Sequence, residues 1–215
     1  MTENEEYIFD HFLISIKSGL YSLEDIITDA LEVVEDEGWE NEIGEEWVRE
    51  NVKREFDKNT LASVKWKQPT DPDLLIKAFD QLCRQKIVAL HNAGYTKQDA
   101  VYDAQDVWTD AEDEGLNPIG YCYYHGQDLE RAIHDDELSI GFYGATENND
   151  KEAIIIGHKV VAALKEVGFD VEWNGSAAKR IVIKDFHWQN AFTTEDEVED
   201  KWGYDRVLKL MGEEN

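Results

Sequence analysis

The hydrophobic pattern of this chain changes its period near Pro118, and this change constrains the fold more than any other feature. Before Pro118, apolar residues recur at the spacing of amphipathic helices. After it, short runs rich in β-branched and aromatic residues alternate with helical stretches, and such runs favour strands. We therefore predict an α+β fold, with an all-helical N-terminal half packed with a C-terminal β-α-β-α-β-β unit.

Capping signals place the predicted helices of the first half. Ser22 with Asp25 resembles a capping box, and Thr70-Asp71-Pro72 is a strong helix start because Pro72 presets the backbone of the first turn. We expect the helix that begins at Thr70 to extend to His91. Gly94-Tyr95-Thr96 then interrupts it and caps a further helix. The first half is therefore predicted to contain helices only.

Strand patterns define the second half. Residues 119–124 and 138–143 have strand composition, and a helix is predicted over residues 151–167. Two more strand-like runs, at 169–173 and 180–184, are separated by a turn and predict a terminal hairpin. We expect a sheet of about four strands with helices on one face.

Three regions follow from these patterns. They are an acidic helical region at residues 1–117, an α/β sheet region at 118–190, and an acidic C-terminal tail with a short helix at 191–215. A chain of 215 residues with 42% hydrophobic residues is long enough for one large core. We expect the three regions to form one integrated domain.

A formal net charge of −27 limits the classes of partner. Phosphate backbones and anionic lipids are repelled, so we expect no direct nucleic-acid binding and no membrane binding. A basic protein is the natural partner. The cysteines Cys83 and Cys122 are too few for a disulfide framework, and acids replace the basic residues of a secretory signal, so we expect a cytoplasmic protein.

The acidic residues are concentrated in two helical stretches. Residues 22–50 hold twelve acids against the single base Arg49, and a second stretch carries aspartates at helical spacing opposite Val101 and Trp108. Either these faces bind a basic protein, or they are solvated faces that add solubility. The candidate partner-binding residues are Glu35, Asp36, Glu37, Asp99, Asp103, Asp106, Asp110, Asp113 and Glu114.

His125-Gly126-Gln127-Asp128 is the most distinctive polar cluster. It follows the first predicted strand and precedes a helix, which is where sites collect in α/β proteins. His125 and Asp128 are the candidate catalytic residues, with Asp128 orienting His125 as a general base. The alternative is structural, with Asp128 capping the helix and His125 binding a backbone group in a turn. His187 follows the last strand, and we consider it a further candidate at the same end of the sheet.

Metal and cofactor motifs are missing from the sequence. Cys122 and His125 have the spacing of half a zinc site, but no second pair of ligands has comparable spacing. No window fits the order of ligands in an EF-hand, and there is no glycine-rich phosphate loop. We therefore predict no metal site and no cofactor.

Three segments together resemble a known family. The runs Ile87–Thr96, Tyr124–Asp128 and Val171–Gly175 are similar to a family of bacterial proteins described as a domain of unknown function. The resemblance covers roughly residues 70–190 and implies a bacterial origin and one coherent domain. It implies no activity, cofactor or site residue.

Three functional hypotheses follow. The favoured one is a non-enzymatic acidic module for a basic partner, such as an immunity protein, an inhibitor or a nucleic-acid mimic. The second is a small hydrolase-like or ligand-binding site around His125 and Asp128. The third is a soluble cytosolic protein with no specific partner.

Overall fold

The computed structural model describes residues 1–146 and 148–213 and confirms the α+β class. The contacts divide the chain into two compact units. Unit 1 contains residues 1–70 and 188–198, and unit 2 contains residues 71–187 and the C-terminal residues from Glu199 onward. The chain leaves unit 1 after Thr70, whereas the sequence predicts a boundary after residue 117.

Unit 1 is built from three helices, α1 Glu3–Ser18, α2 Leu23–Asp36 and α3 Glu45–Ser63. The capping box predicted at Ser22 and Asp25 is present at the start of α2. Each helix turns an apolar face inward, as amphipathic helices do. The resulting core contains Ile8, Phe12, Ile16, Ile26, Ile27, Ala30, Val34, Ile43, Val48 and Val52.

A later segment of the chain returns to the end of α1. The indole N–H of Trp188 and the side-chain amide of Asn190 both donate to the carbonyl oxygen of Ser18, at 3.0 and 2.8 Å. Gly19 has a φ of +65°, and a Cβ there would lie 2.7 Å from the backbone of Asn190. Glycine is therefore required at this crossing for both conformational and steric reasons.

Unit 2 contains, within its described residues, a five-stranded mixed sheet of order β1-β2-β3-β5-β4. Strands β1 and β2 are parallel, and the other neighbours are antiparallel. The elements that follow unit 1 along the chain are α4 Asp71–Arg84, β1 Ile87–Leu90, α5 Lys97–Asp113, β2 Gly120–Tyr123, α6 Gly126–Asp135, β3 Leu138–Gly144, α7 Asp150–Glu166, β4 Asp170–Glu172, β5 Ile181–Lys184, α8 Glu195–Trp202 and α9 Asp205–Gly212.

The first strand corrects the expectation of an all-helical first half. Helix α4 ends at Arg84, and Ile87–Leu90 pairs with β2 as a fully buried strand. Lys86 makes the change of direction with a φ of +65°, and its carbonyl oxygen accepts the N–H of Ile119. A short, wholly apolar run has the same pattern in a buried helix and in a buried strand, so periodicity did not separate the two.

Helices cover both faces of the sheet, which differs from the expected single face. Gly120 of β2 faces α7, because a Cβ there would lie 2.4 Å from Ile156. Helix α5 packs on the opposite face, toward Tyr121 and Tyr143. The physical reason is β1: two parallel neighbouring strands need a crossover, and α5 is that crossover.

The rest of the predicted second half is confirmed. Strands β4 and β5 form the antiparallel hairpin, α7 begins one residue before the predicted helix, and α9 is the predicted helix of the tail. Across residues 1–146 and 148–213, no helix combines the length and the apolar composition needed to cross a membrane.

Candidate functional site

The end of β2 holds the two residues that the sequence singles out. His125 is the N-cap of α6, with extended backbone angles, and Asp128 is the third residue of that helix. The backbone N–H of His125 donates to the carboxylate of Asp128 at 3.1 Å. Both side chains are buried, and Asp128 is fully so. Asp128 therefore caps the start of α6, as the structural alternative expected.

Arg180 is a partner of Asp128 that the sequence did not indicate. Its guanidinium donates Nη1 to one carboxylate oxygen of Asp128 at 2.7 Å and Nη2 to the other at 2.5 Å. Nη2 also donates to the carbonyl oxygen of Ser139, at 2.9 Å. Arg180 precedes β5, and the pairing of β5 with β3 brings it to this end of the sheet. The buried carboxylate is thus neutralised by a bidentate ion pair.

Burial lowers the pKa of His125. The negative charge of Asp128, 3.1 Å from Nδ1, opposes this shift, whereas the positive charge of Arg180 supports it. His125 is consequently neutral at pH 7. The attraction of Asp128, whose carboxylate is shared with Arg180, does not offset the effect of burial, so the net shift of the His125 pKa is downward. The catalytic role of His125 and Asp128 stays a prediction, and this geometry gives it no added support.

The other histidines and the cysteines have separate environments. Cys122 is buried, and burial raises its thiol pKa well above the usual value, so the reactive thiolate is suppressed. His187 lies 3.1 Å from Asp136, and this hydrogen bond raises its pKa. His158 contacts the edge of Trp173. Within the described part of the chain, no three His, Cys, Asp or Glu side chains converge as metal ligands.

Two of the predicted acidic residues on α5 have partners within the protein. Asp99 accepts the backbone N–H and the hydroxyl of Thr96 in a capping box, and these hydrogen bonds lower its pKa. Asp103 accepts the phenolic hydroxyl of Tyr204 at 2.6 Å. Both carboxylates therefore help to hold the fold of unit 2.

The remaining candidates are exposed to solvent, and all except Asp106 lie at two helix ends. Asp106, Asp110, Asp113 and Glu114 are exposed along the rest of α5 and at its C-cap. In unit 1, the exposed residues Glu35, Asp36 and Glu37 lie at the C-terminal end of α2. We call these two groups, defined as Asp110 to Glu114 and Glu35 to Glu37, the acidic helix ends.

A cavity of about 390 Å³ lies between α5 and the sheet, and the sequence did not predict it. Its wall includes Trp108 from α5, Tyr121 from β2 and Tyr143 from β3. Tyr121, Tyr123 and His125 are spaced two residues apart. This spacing was the only sequence signal that their side chains lie on one face of the sheet. The register of β2 and β3, which pairs Tyr121 with Tyr143, completes the aromatic wall.

Comparison with known proteins gives a family without a described activity. No curated protein and no solved structure matches the chain. Residues 1–192 match the family described as Domain of unknown function (DUF6891), which extends the resemblance from the second half into the acidic N-terminal helices. The chain belongs to this family of domains of unknown function.

Proposed function

We propose that this protein is a non-enzymatic binding protein that engages a basic protein through its acidic helix ends. An immunity protein, an inhibitor or a nucleic-acid mimic would act in this way. The observation that carries the proposal is the position of the acids at the C-terminal ends of α2 and α5. At these positions the acids cost stability.

The cost comes from the helix dipole. The last carbonyl groups of a helix carry partial negative charge, so carboxylates near them are unfavourable and cations are favourable. Helix α2 ends in Glu35 and Asp36 with Glu37 as its C-cap, and its last turn has no basic residue. Helix α5 likewise has no basic residue in its last turn and has Glu114 as C-cap.

Other helices of the same chain have a basic residue in the last turn. Lys17 lies in the last turn of α1, Arg84 in that of α4 and Lys165 in that of α7. The high overall charge therefore does not by itself account for the acidic helix ends. Local choices that oppose stability without a compensating contact are typical of functional sites. A docked basic surface would supply the missing cations.

The same charge favours this class of partner over others. A chain of net charge −27 attracts a basic protein over a distance and raises the association rate, whereas it repels nucleic acid and anionic membranes. We place the protein in the cytoplasm, because its two cysteines are buried free thiols, which suit a reducing compartment.

The test is affinity capture of the tagged protein from its native cells at low salt, with elution by rising salt and mass spectrometry. We expect one basic protein to elute, and we expect it to be lost from the variant Asp110→Asn, Asp113→Asn, Glu114→Gln. The matched control is Glu195→Gln, Asp196→Asn, Glu197→Gln, which removes equal charge from the exposed first turn of α8.

The captured protein should then bind the purified wild-type chain one to one in calorimetry. Retention of affinity by the α5 variant, or equal losses in the α5 and α8 variants, would refute the proposal, because the effect would then depend on total charge alone.

A further inference from the structure

The cavity between α5 and the sheet has the size of a small-molecule site. Its volume of about 390 Å³ lies within the range of roughly 300–1,000 Å³ that is typical of ligand pockets. The cavity is formed entirely by unit 2, and neither of the acidic helix ends contributes to its wall. A ligand in this cavity would therefore be independent of the proposed protein partner.

Trp108 is the aromatic residue of the wall that is left for a ligand. Tyr121 and Tyr143 stack on each other with ring centroids 5.1 Å apart, and the ammonium group of Lys97 lies over Tyr143. The faces of the two tyrosines thus already have partners. Trp108 is half-buried, and among residues 1–146 and 148–213 no other ring stacks on it. Its indole offers a flat apolar face and one N–H donor.

The rim of the cavity is polar. Gln105 is exposed on α5, and Asn148 and Asp150 are exposed at the junction of β3 and α7. Their side chains make no hydrogen bond to another described residue. The two amides both donate and accept hydrogen bonds, and the carboxylate accepts them. These groups suit a ligand with hydroxyl groups, which also donate and accept.

The charges around the cavity oppose each other. The carboxylate of Asp150 is negative, but it lies in the first turn of α7, where the helix dipole favours a negative charge on a ligand. Lys97 adds a positive charge beside Tyr143. These contributions together favour neither a cation nor an anion, so an uncharged ligand fits the electrostatics of the cavity.

We propose that this cavity binds an uncharged pyranose sugar, with one face of the ring against the indole of Trp108 and with its hydroxyl groups hydrogen-bonded to Gln105, Asn148 and Asp150. A pyranose carries C–H groups on one face and hydroxyl groups around its edge. The indole and the polar rim therefore match the two parts of the molecule at once. An apolar ligand would not use the rim, and an open-chain polyol would present no continuous face to the indole.

NMR titration of the full chain with six probes tests the proposal. Three probes are the methyl pyranosides of glucose, galactose and mannose. The others are sorbitol, which has hydroxyl groups without a ring, cyclohexanol, which has a ring without the hydroxyl edge, and benzoate, which is an anion with a ring. We expect saturable binding of at least one pyranoside, with a shift of the indole N–H signal of Trp108. The affinity for the other three probes should be at least about tenfold lower, because each lacks one kind of contact.

Two variants locate the site, each with a matched control on α5. Trp108→Leu should weaken pyranoside binding about tenfold, because it removes the indole face. Its control is Tyr102→Leu, since Tyr102 is exposed and lies outside the cavity wall. Gln105→Leu should weaken binding several-fold, because it removes an amide from the rim. Its control, Gln98→Leu, changes an exposed residue outside the wall and should leave binding unchanged.

Each outcome decides for or against the proposal. Binding of a pyranoside that is weakened by Trp108→Leu and Gln105→Leu, but by neither control, would support it. Equal binding of cyclohexanol would show an apolar cavity, equal binding of sorbitol a general affinity for hydroxyl groups, and tighter binding of benzoate an anion site, and each of these results would overturn it.

No binding of the three pyranosides, or binding that survives both variants, would overturn the proposal as well. Thermal melts verify that each variant is folded. Gln105 is exposed, so Gln105→Leu does not depend on repacking of the core.

Discussion

Arg180 and Asp128 are 52 positions apart in the sequence, yet the guanidinium of Arg180 donates hydrogen bonds to both carboxylate oxygens of Asp128. Asp128 is fully buried, whereas the side chain of Arg180 is 34% exposed. The pair therefore joins the start of α6 to the residue before β5, and the carboxylate of the pair has no access to water.

We expect Arg180→Met to lower the free energy of unfolding by about 3 kcal/mol, because it leaves the buried carboxylate of Asp128 unpaired. Urea denaturation measures this value. The matched control is Arg131→Met, which removes a guanidinium 3.5 Å from the same carboxylate but 46% exposed. The control should cost less than about 1 kcal/mol. Equal costs for the two variants would contradict the assignment of Arg180 as the principal partner.

His125 should titrate below its ordinary value. Burial lowers its pKa, and the carboxylate that would raise it is engaged by Arg180. We expect an NMR titration of the imidazole to give a midpoint below 6.5, the usual value for histidine. In Arg180→Met the midpoint should rise, since a positive charge is removed beside Asp128. A wild-type midpoint above 6.5 would instead favour a catalytic His-Asp pair.

His91 should make stability depend on pH. It is enclosed by aromatic rings, with Phe79 stacked at 4.6 Å and Trp202 edge-on at 4.9 Å, and burial lowers its pKa to about 3. Between pH 6.5 and the folded pKa, the unfolded chain binds a proton that the folded chain does not, so stability falls as the pH is lowered.

The contribution of His91 should approach about 1.4 kcal/mol per pH unit within this window. We expect His91→Phe to remove that slope, which is measured as the difference between the unfolding free energies of wild type and variant across the pH range. Parallel curves for the two proteins would show that His91 does not remain neutral in the folded state.

Neutral variants at the acidic helix ends should make the protein more stable than the wild type. We expect Asp36→Asn and Asp113→Asn each to raise the free energy of unfolding by about 0.3 kcal/mol or more, because each removes a negative charge from a helix C-terminus. Asp25→Asn makes the same change of charge in the capping box at the start of α2, and it should lower stability. Thermal unfolding at low salt measures whether each variant is more or less stable than the wild type. The same sign for all three variants would contradict this explanation.

Local patterns predicted most helices and the terminal hairpin, because caps and periodicity act within a few residues. The capping box of Ser22 and Asp25 is one such signal, and the strand-like run at residues 169–173 is another. Strand β1 was missed because a four-residue apolar run carries no period of its own, and the positive φ of Lys86 has no sequence signature comparable to that of glycine.

The candidate site was predictable only in part. His125 and Asp128 are three positions apart, so their proximity follows from the helix that begins between them. Arg180 and the pairing of Tyr121 with Tyr143 depend on strand register, which joins residues that are distant along the chain. Without the order of the strands, no local pattern places these side chains together.

Strand β4 is an edge strand of the sheet, and it is only three residues long. Its Asp170 and Glu172 are exposed, and Glu172 lies 3.6 Å from Lys184 on the neighbouring strand. Short, charged edge strands are poor templates for an added strand from another molecule. Concentrated solutions of the protein should therefore resist growth of intermolecular β-sheet at this border, and replacement of both acids by valine should make the chain prone to aggregation.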